Sequence, residues 1–170
     1  MVALSYQTAA TATTAAASRS GLARLVAGYA WEGKTRTDKT AYDIVIDGCQ
    51  LRWNSVATDW IATPNSLDKV GSIHTVQGYD LNYPGVIIGP DLLRFAAAEG
   101  RRFVARGSYL DKKGKGNNLR LGKTYSDDDL LRFVSNIYAV LLTRGIQGTY
   151  VYACDPALRA HLLEFIPSSG

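Results

Sequence analysis

Three stretches of this 170-residue chain hold residue types that could do chemistry. The first is GYAWEGKT, Gly28 to Thr35, which has the GxxxxGK[ST] spacing of a phosphate-cradling loop. In such a loop backbone N–H groups hold phosphate oxygens, the lysine neutralises them and the hydroxyl reaches Mg²⁺. The chemistry needs a helix directly after Lys34 and Thr35, so that its N-terminus faces the phosphates. Residues 36–42 are instead polar and Thr-rich, with no apolar stripe. Tyr29 and Trp31 are also bulky where backbone must approach phosphate, so the pattern reads as a chance match. The second stretch is SIHTVQGYD, Ser72 to Asp80, a predicted strand running into a glycine turn. Polar residues at the carboxyl ends of strands are where open α/β sheets place ligands. A loop that uses Gly78 for its geometry and Asp80 as a cap has the same composition. The third is Arg144, just past an apolar helix and before Gly145. Taken alone, such an arginine also suits the last carbonyls of a helix.

Charge adds a fourth candidate. Residues 101–123 contain eight basic residues against the single acid Asp111, a net of +7 in a chain of net +4. Everything outside that segment therefore sums to −3. Its centre, Asp111 to Asn118, is rich in Lys, Gly and Asn and reads as an exposed loop carrying Lys112, Lys113 and Lys115. Such a loop is either simply solvated or a contact surface for the phosphate backbone of a nucleic acid.

These candidates need elements to position them. Leu22 to Tyr29, Tyr42 to Ile46 and Gly71 to Val76 read as strands, with Asp47-Gly48 as a turn. Gly85 to Ile88 is a continuous β-branched run of the kind buried in parallel sheets. Asn54 to Ile61 suits a short helix. Leu92 to Ala96 and Arg102 to Gly107 suit a hairpin, although the first could instead be helical. Leu130, Leu131, Val134, Ile137, Tyr138, Leu141 and Leu142 recur at helical spacing, with Ser126 as cap and Asp127 to Asp129 complementing the helix dipole. Thr149 to Ala153 is a further strand, and Asp155-Pro156 opens a last helix. Strands alternating with helices point to an α/β fold with a largely parallel sheet.

Composition sets the outer limits. With 46% hydrophobic and 20% charged residues the chain can bury a core, which excludes extended disorder. No apolar run reaches the roughly 18 residues of a membrane span. Two distant cysteines and two histidines argue against a disulfide framework or a metal site and suit a reducing cytoplasm. Residues 1–20, almost all Ala, Thr and Ser in the middle, read as a flexible tail or the ragged start of a truncated frame. Residues 21–166 then form the ordered domain, with 101–123 as a basic insertion.

Read together and in order, the motifs resemble a known family. His74 to Asp80 resembles motif V of superfamily 1 helicases, "QGxE", and Tyr138 to Arg144 resembles motif VI, "ALTRA". The closer resemblance is to the helicase-like ATPases that include the Schlafen group-three helicase domain. That family carries "AGYCW", "DIVI", "WN", "IHTVQGLEFDYVGVIIGPDL" and "YRVLLTRGMKGTYVY". Here these are Ala27 to Trp31, Asp43 to Ile46, Trp53-Asn54, Ile73 to Leu92 and Tyr138 to Tyr152. The family's acid is Glu where this chain has Asp80.

The resemblance implies a RecA-like three-layer α/β domain, a P-loop NTPase superfold lacking a working P-loop. It would be the second RecA-like half of an ATP-dependent DNA/RNA helicase or translocase. By the family's pattern Arg144 is the arginine finger, and Gln77, Gly78, Asp80 and Thr143 lie by the nucleotide. Ser72, His74 and Thr75 lie towards the nucleic-acid strand, and no metal ligand is assigned. ATP with Mg²⁺ would be shared with a first RecA-like domain in cis or in trans, and the other partner would be single-stranded DNA or RNA. Two alternatives stay open: a non-enzymatic nucleic-acid-binding or regulatory remnant, and a self-contained P-loop NTPase using Lys34 and Thr35.

Overall fold

The computed structural model describes residues 1–3, 5–20, 22–38, 40–53, 61, 66, 69–94, 102–104, 110 and 124–169. In chain order the elements are β1 (Val2–Ala3), α1 (Tyr6–Ser20), β2 (Ala23–Ala27), β3 (Ile44–Ile46), β4 (Cys49–Trp53), β5 (Lys69–Val70) and β6 (Tyr83–Ile88). There follow β7 (Leu92–Arg94), β8 (Arg102–Val104), α2 (Asp127–Leu142), β9 (Tyr150–Ala153), α3 (Pro156–Leu163) and β10 (Ser168–Ser169).

The chain is a mixed α/β protein built on a parallel sheet of order β10-β1-β9-β6-β2. Gly71 extends it beyond β2 through a parallel bridge to Val26, which brings β5, β4 and β3 alongside. Along the central strands, which are buried almost throughout, successive residues join opposite cores. Val26, Val86, Ile88, Val151 and Ala153 join one core with the apolar stripe of α2 and Leu158 of α3. Leu25, Ala27, Ile87 and Tyr152 join a second core with Ala9 of α1 and Ile44, Ile46, Trp53 and Val70. Because both faces are covered by helices, the strands read as unbroken apolar runs.

Helix α2 follows its sequence pattern closely. Ser126 accepts from the Asp129 N–H while Asp129 accepts from the Ser126 N–H, a reciprocal cap at the N-terminus. Leu130, Val134, Ile137, Tyr138 and Leu141 are its buried face. Asp155 likewise caps α3 by accepting from Leu158 N–H, with Pro156 in the first turn. The β3–β4 connection is a two-residue turn in which Asp47 and Gly48 have φ of 49° and 78°. Both are left-handed, which suits Asp-Gly. β7 and β8 form the expected hairpin, pairing Leu92 with Val104 and Arg94 with Arg102.

Two sequence expectations need correction. Residues 6–20, read as tail, form helix α1 packed on β2, β6 and β9. Its buried stripe is Ala9, Thr13 and Ala16, all small. Small residues let the helix approach closely: a side chain on Gly85 of β6 would lie 2.4 Å from Thr13 Oγ1. Within Gly71 to Val76, read as strand, residues 73–76 form turns instead: the Thr75 hydroxyl accepts from the Ser72 N–H and donates to the Ser72 carbonyl. The helix expected at Asn54 to Ile61 and the loop at Asp111 to Asn118 lie outside the described residues, save Ile61.

Candidate functional site

Asp80 and Arg144 meet because two chain segments pair just ahead of neighbouring strands. Leu81, before β6, bridges Gly145, before β9. The Leu81 N–H donates to the Arg144 carbonyl at 2.9 Å, and the Ile146 N–H donates to the Leu81 carbonyl at 2.8 Å. Gly145 is required sterically, since a side chain there would meet the Gly148 carbonyl oxygen at 2.4 Å. The result sets Arg144 Nη1 3.7 Å from Asp80 Oδ1. Asp80 is largely exposed and Arg144 is 29% exposed, so the pair contributes little to stability. Arg144 Nε is buried and has no hydrogen-bond acceptor. A partly exposed guanidinium beside one carboxylate suits a planar anionic oxygen pair.

The other residues expected at a nucleotide are arranged less closely. Gln77 and Gly78 lie exposed on the turn leading to Asp80, and Gly78 has a φ of 86° that disfavours a side chain. No hydrogen bond among the described residues joins Gln77 to Arg144. Thr143 ends α2 and its hydroxyl donates back to the Ala139 and Val140 carbonyls. Ser72 and Thr75 are buried, at 0% and 6% exposure. The Thr75 hydroxyl accepts from Ser72 N–H and donates to the Ser72 carbonyl. His74 alone of the three is exposed. Its ring stands 5.7 Å from that of half-buried Tyr29, which packs edge-on against buried Trp53 at 5.0 Å. Lys112, Lys113 and Lys115 lie outside the described residues.

The Gly28 to Thr35 segment has no helix after it. Lys34–Arg36 is a single 3-10 turn, and β3 is the next element. Thr35 is buried, and both its N–H and its hydroxyl donate to the Asp43 carboxylate, at 2.9 and 2.7 Å. Trp53 N–H donates to the same carboxylate at 2.7 Å. The pattern's hydroxyl is thus engaged in holding this loop to the β3–β4 hairpin.

One polar cluster escaped the sequence reading. The Tyr138 hydroxyl donates to Asp91 Oδ1 at 2.7 Å and accepts from Gly89 N–H at 2.9 Å. Gly28 lies so close that a side chain there would meet the hydroxyl at 2.5 Å. Tyr138 belongs to the apolar stripe of α2, so spacing marks it only as core. The available signal was an aspartate directly after a buried strand, in Gly89-Pro90-Asp91. Asp91 is 1% exposed and its Oδ2 has no hydrogen-bond partner. Burial pushes its carboxyl up to about 6 from 3.8, against the opposing Tyr138 hydrogen bond. Burial likewise pushes the Cys154 thiol up to about 12, which favours the neutral thiol over the thiolate.

A pH dependence follows. The folded protein holds the Asp91 proton more tightly than the unfolded chain does. Its contribution is therefore most favourable below about pH 4 and is lost as pH rises through about 6, a span worth about 3 kcal/mol. Urea unfolding of the wild type and Asp91→Asn at several pH values checks this. The stability difference between them should change across that window and level off above it. A constant difference would remove Asp91 as the cause.

Comparisons with known proteins add the family context. A family model described as Schlafen group 3, DNA/RNA helicase domain, matches residues 1–155. An uncharacterized protein of Saccharomyces cerevisiae is 37% identical over 124 residues, covering 69% of this chain and 26% of that protein. The chain thus spans about a quarter of that relative's length. No solved structure matches. Among the described residues no helix is long and apolar enough to cross a membrane.

Proposed function

The chain belongs to the family described as Schlafen group 3, DNA/RNA helicase domain, and on that premise we propose that it is the second, RecA-like half of an ATP-dependent motor acting on single-stranded nucleic acid. The observation that carries this reading is the Leu81–Gly145 bridge. It brings the two family motifs together and sets Asp80 beside Arg144. The residues suit a nucleotide: the Arg144 side chain is partly exposed beside Asp80, and a guanidinium pairs readily with phosphate oxygens. ATP with Mg²⁺, held mainly by a first RecA-like domain, supplies the phosphoryl group to be transferred. Arg144 then supplies a fixed positive fork towards the charge that develops. Asp80 orients that fork when no phosphate is present, and Gln77, Gly78 and Thr143 border the same edge. The site of this chain is therefore half a site.

The nucleic-acid side rests on the basic segment 101–123. Binding should be weak, salt-dependent and largely independent of sequence. Several phosphate contacts imply affinity falling steeply between about 50 and 200 mM salt. Replacing Lys112, Lys113 and Lys115 with Ala should weaken binding of a single-stranded oligonucleotide. The slope of its salt dependence should flatten by about 1 for each phosphate no longer neutralised. Fluorescence anisotropy across a salt series reads both. An unchanged slope would mark the segment as a solvated loop.

A further inference from the structure

We propose that Tyr138 is a positioning residue for Arg144: its hydroxyl, bonded to Gly89 and Asp91, fixes where helix α2 lies on the sheet and so where the helix delivers the guanidinium. The inference rests on the role proposed for Arg144 above and adds the group that sets its place. The two ends of this device lie at opposite edges of the parallel sheet. The hydroxyl sits at the carboxyl edge, against Gly28 after β2 and Gly89 after β6. Arg144 sits at the amino edge, where Leu81 before β6 bridges Gly145 before β9. Helix α2 ends at Leu142, four residues beyond Tyr138, a rise of about 6 Å at about 1.5 Å per residue. A single turn of helix therefore carries any shift at Tyr138 to the base of Arg144.

The rest of the buried stripe cannot set this position so sharply. Leu130, Val134, Ile137 and Leu141 are apolar, and apolar burial is non-directional. A hydrogen bond weakens steeply when its angle is lost. The Tyr138 hydroxyl makes two, accepting from the Gly89 N–H at 2.9 Å and donating to Asp91 Oδ1 at 2.7 Å. The space around it is closed, since a side chain on Gly28 would lie 2.5 Å from the oxygen. Burial, and next the Asp91 charge, hold the phenol well above its ordinary range, so it remains a donor.

Stability alone does not account for the arrangement. Asp91 is 1% exposed, and among the described residues its Oδ2 has no hydrogen-bond partner. Phenylalanine beside an apolar residue would fill the same space without burying a carboxyl group, an exchange that is often neutral or stabilising. What the tyrosine and the aspartate add is direction, and with it one position for the helix.

The test is amide hydrogen exchange, read by NMR on the 170-residue chain without nucleotide. The Leu81 and Ile146 amides report the bridge that holds Arg144, since they donate to the Arg144 and Leu81 carbonyls. The Val86 and Ile87 amides, in the middle of β6 between β2 and β9, report global opening. Tyr138→Phe should raise the exchange rate of the first pair relative to the second by roughly 5- to 30-fold, the scale of one or two lost hydrogen bonds. Asp91→Asn should keep the ratio within about twofold, because its amide oxygen still accepts from the hydroxyl. A residue that only stabilises the core would speed Val86 and Ile87 at least as much. If Tyr138→Phe leaves the ratio unchanged, or speeds both pairs together, the positioning role is refuted. It is refuted equally if Asp91→Asn matches Tyr138→Phe, or if Tyr138→Phe does not fold, since the hydroxyl is then a condition of folding. The ratio is read without nucleotide, so its failure is distinct from failure of the motor reading, which hydrolysis by Arg144→Ala tests.

Discussion

In the two-domain motor proposed above, Arg144→Ala is expected to slow nucleotide hydrolysis by about 10³-fold or more, the scale of a lost arginine finger. Nucleotide binding should survive if, as proposed, a first RecA-like domain holds most of the phosphate contacts. The physical basis is the half-open setting of the guanidinium. Its backbone is locked by the bond from Leu81, its Nε is buried without an acceptor, and its side-chain partner is the exposed Asp80 at 3.7 Å. Losing an ion pair of that kind costs about 0.2–1 kcal/mol, so the melting temperature should shift by only a few degrees. Arg144→Lys should fail to rescue turnover, since a point charge cannot reproduce the planar fork. Hydrolysis rate and melting temperature measured on the same variants separate the alternatives. A collapse in stability with normal turnover in the remaining folded enzyme would make Arg144 structural.

Asp43→Ala is expected to have the largest effect on folding, about 3–5 kcal/mol. Its carboxylate accepts from Thr35 N–H, Thr35 Oγ1 and Trp53 N–H, all at 2.9 Å or less. Removing it leaves buried donors unsatisfied at about 1–3 kcal/mol each, partly relieved where water can enter the gap. Thr35→Val should lose less, since its N–H keeps its acceptor, and exposed Lys34→Ala should be near neutral. Chemical denaturation of the three variants gives this order directly. A neutral Asp43→Ala would show that the loop is not fastened there and would return Thr35 to the pool of available ligands.

How much of this was legible depends on what each residue's spacing can encode. Helix α2 was readable because large apolar residues at 130, 134, 137, 138 and 141 leave no other period, and its cap has its own signature. The Asp47-Gly48 turn was readable because few residue pairs accept two left-handed conformations. Helix α1 was not, because its buried stripe is Ala9, Thr13 and Ala16. Those types carry almost no hydrophobic signal, and only Gly85 on the facing strand explains them. Strand β4, Cys49–Trp53, was also missed, since its mixed residues are mostly half-buried. Gly71 to Val76 looked like a strand because β-branched Ile73, Thr75 and Val76 precede a glycine turn. The Ser72–Thr75 bonding that ends the strand is a side-chain choice that periodicity does not record. For the site, the order of motifs led to Asp80 and Arg144, but their meeting depends on pairing between segments more than sixty residues apart. The Tyr138–Asp91 contact depends on the same kind of long-range closure.

If this chain carries half of a nucleotide site and no complete one, it cannot turn over ATP by itself. The most direct measurement is ATP turnover by the purified chain alone, with and without single-stranded nucleic acid, beside Lys34→Ala. No turnover above background is expected under either condition, and no effect of the substitution. Turnover that Lys34→Ala abolishes would contradict the half-site and establish Gly28 to Thr35 as a working phosphate loop.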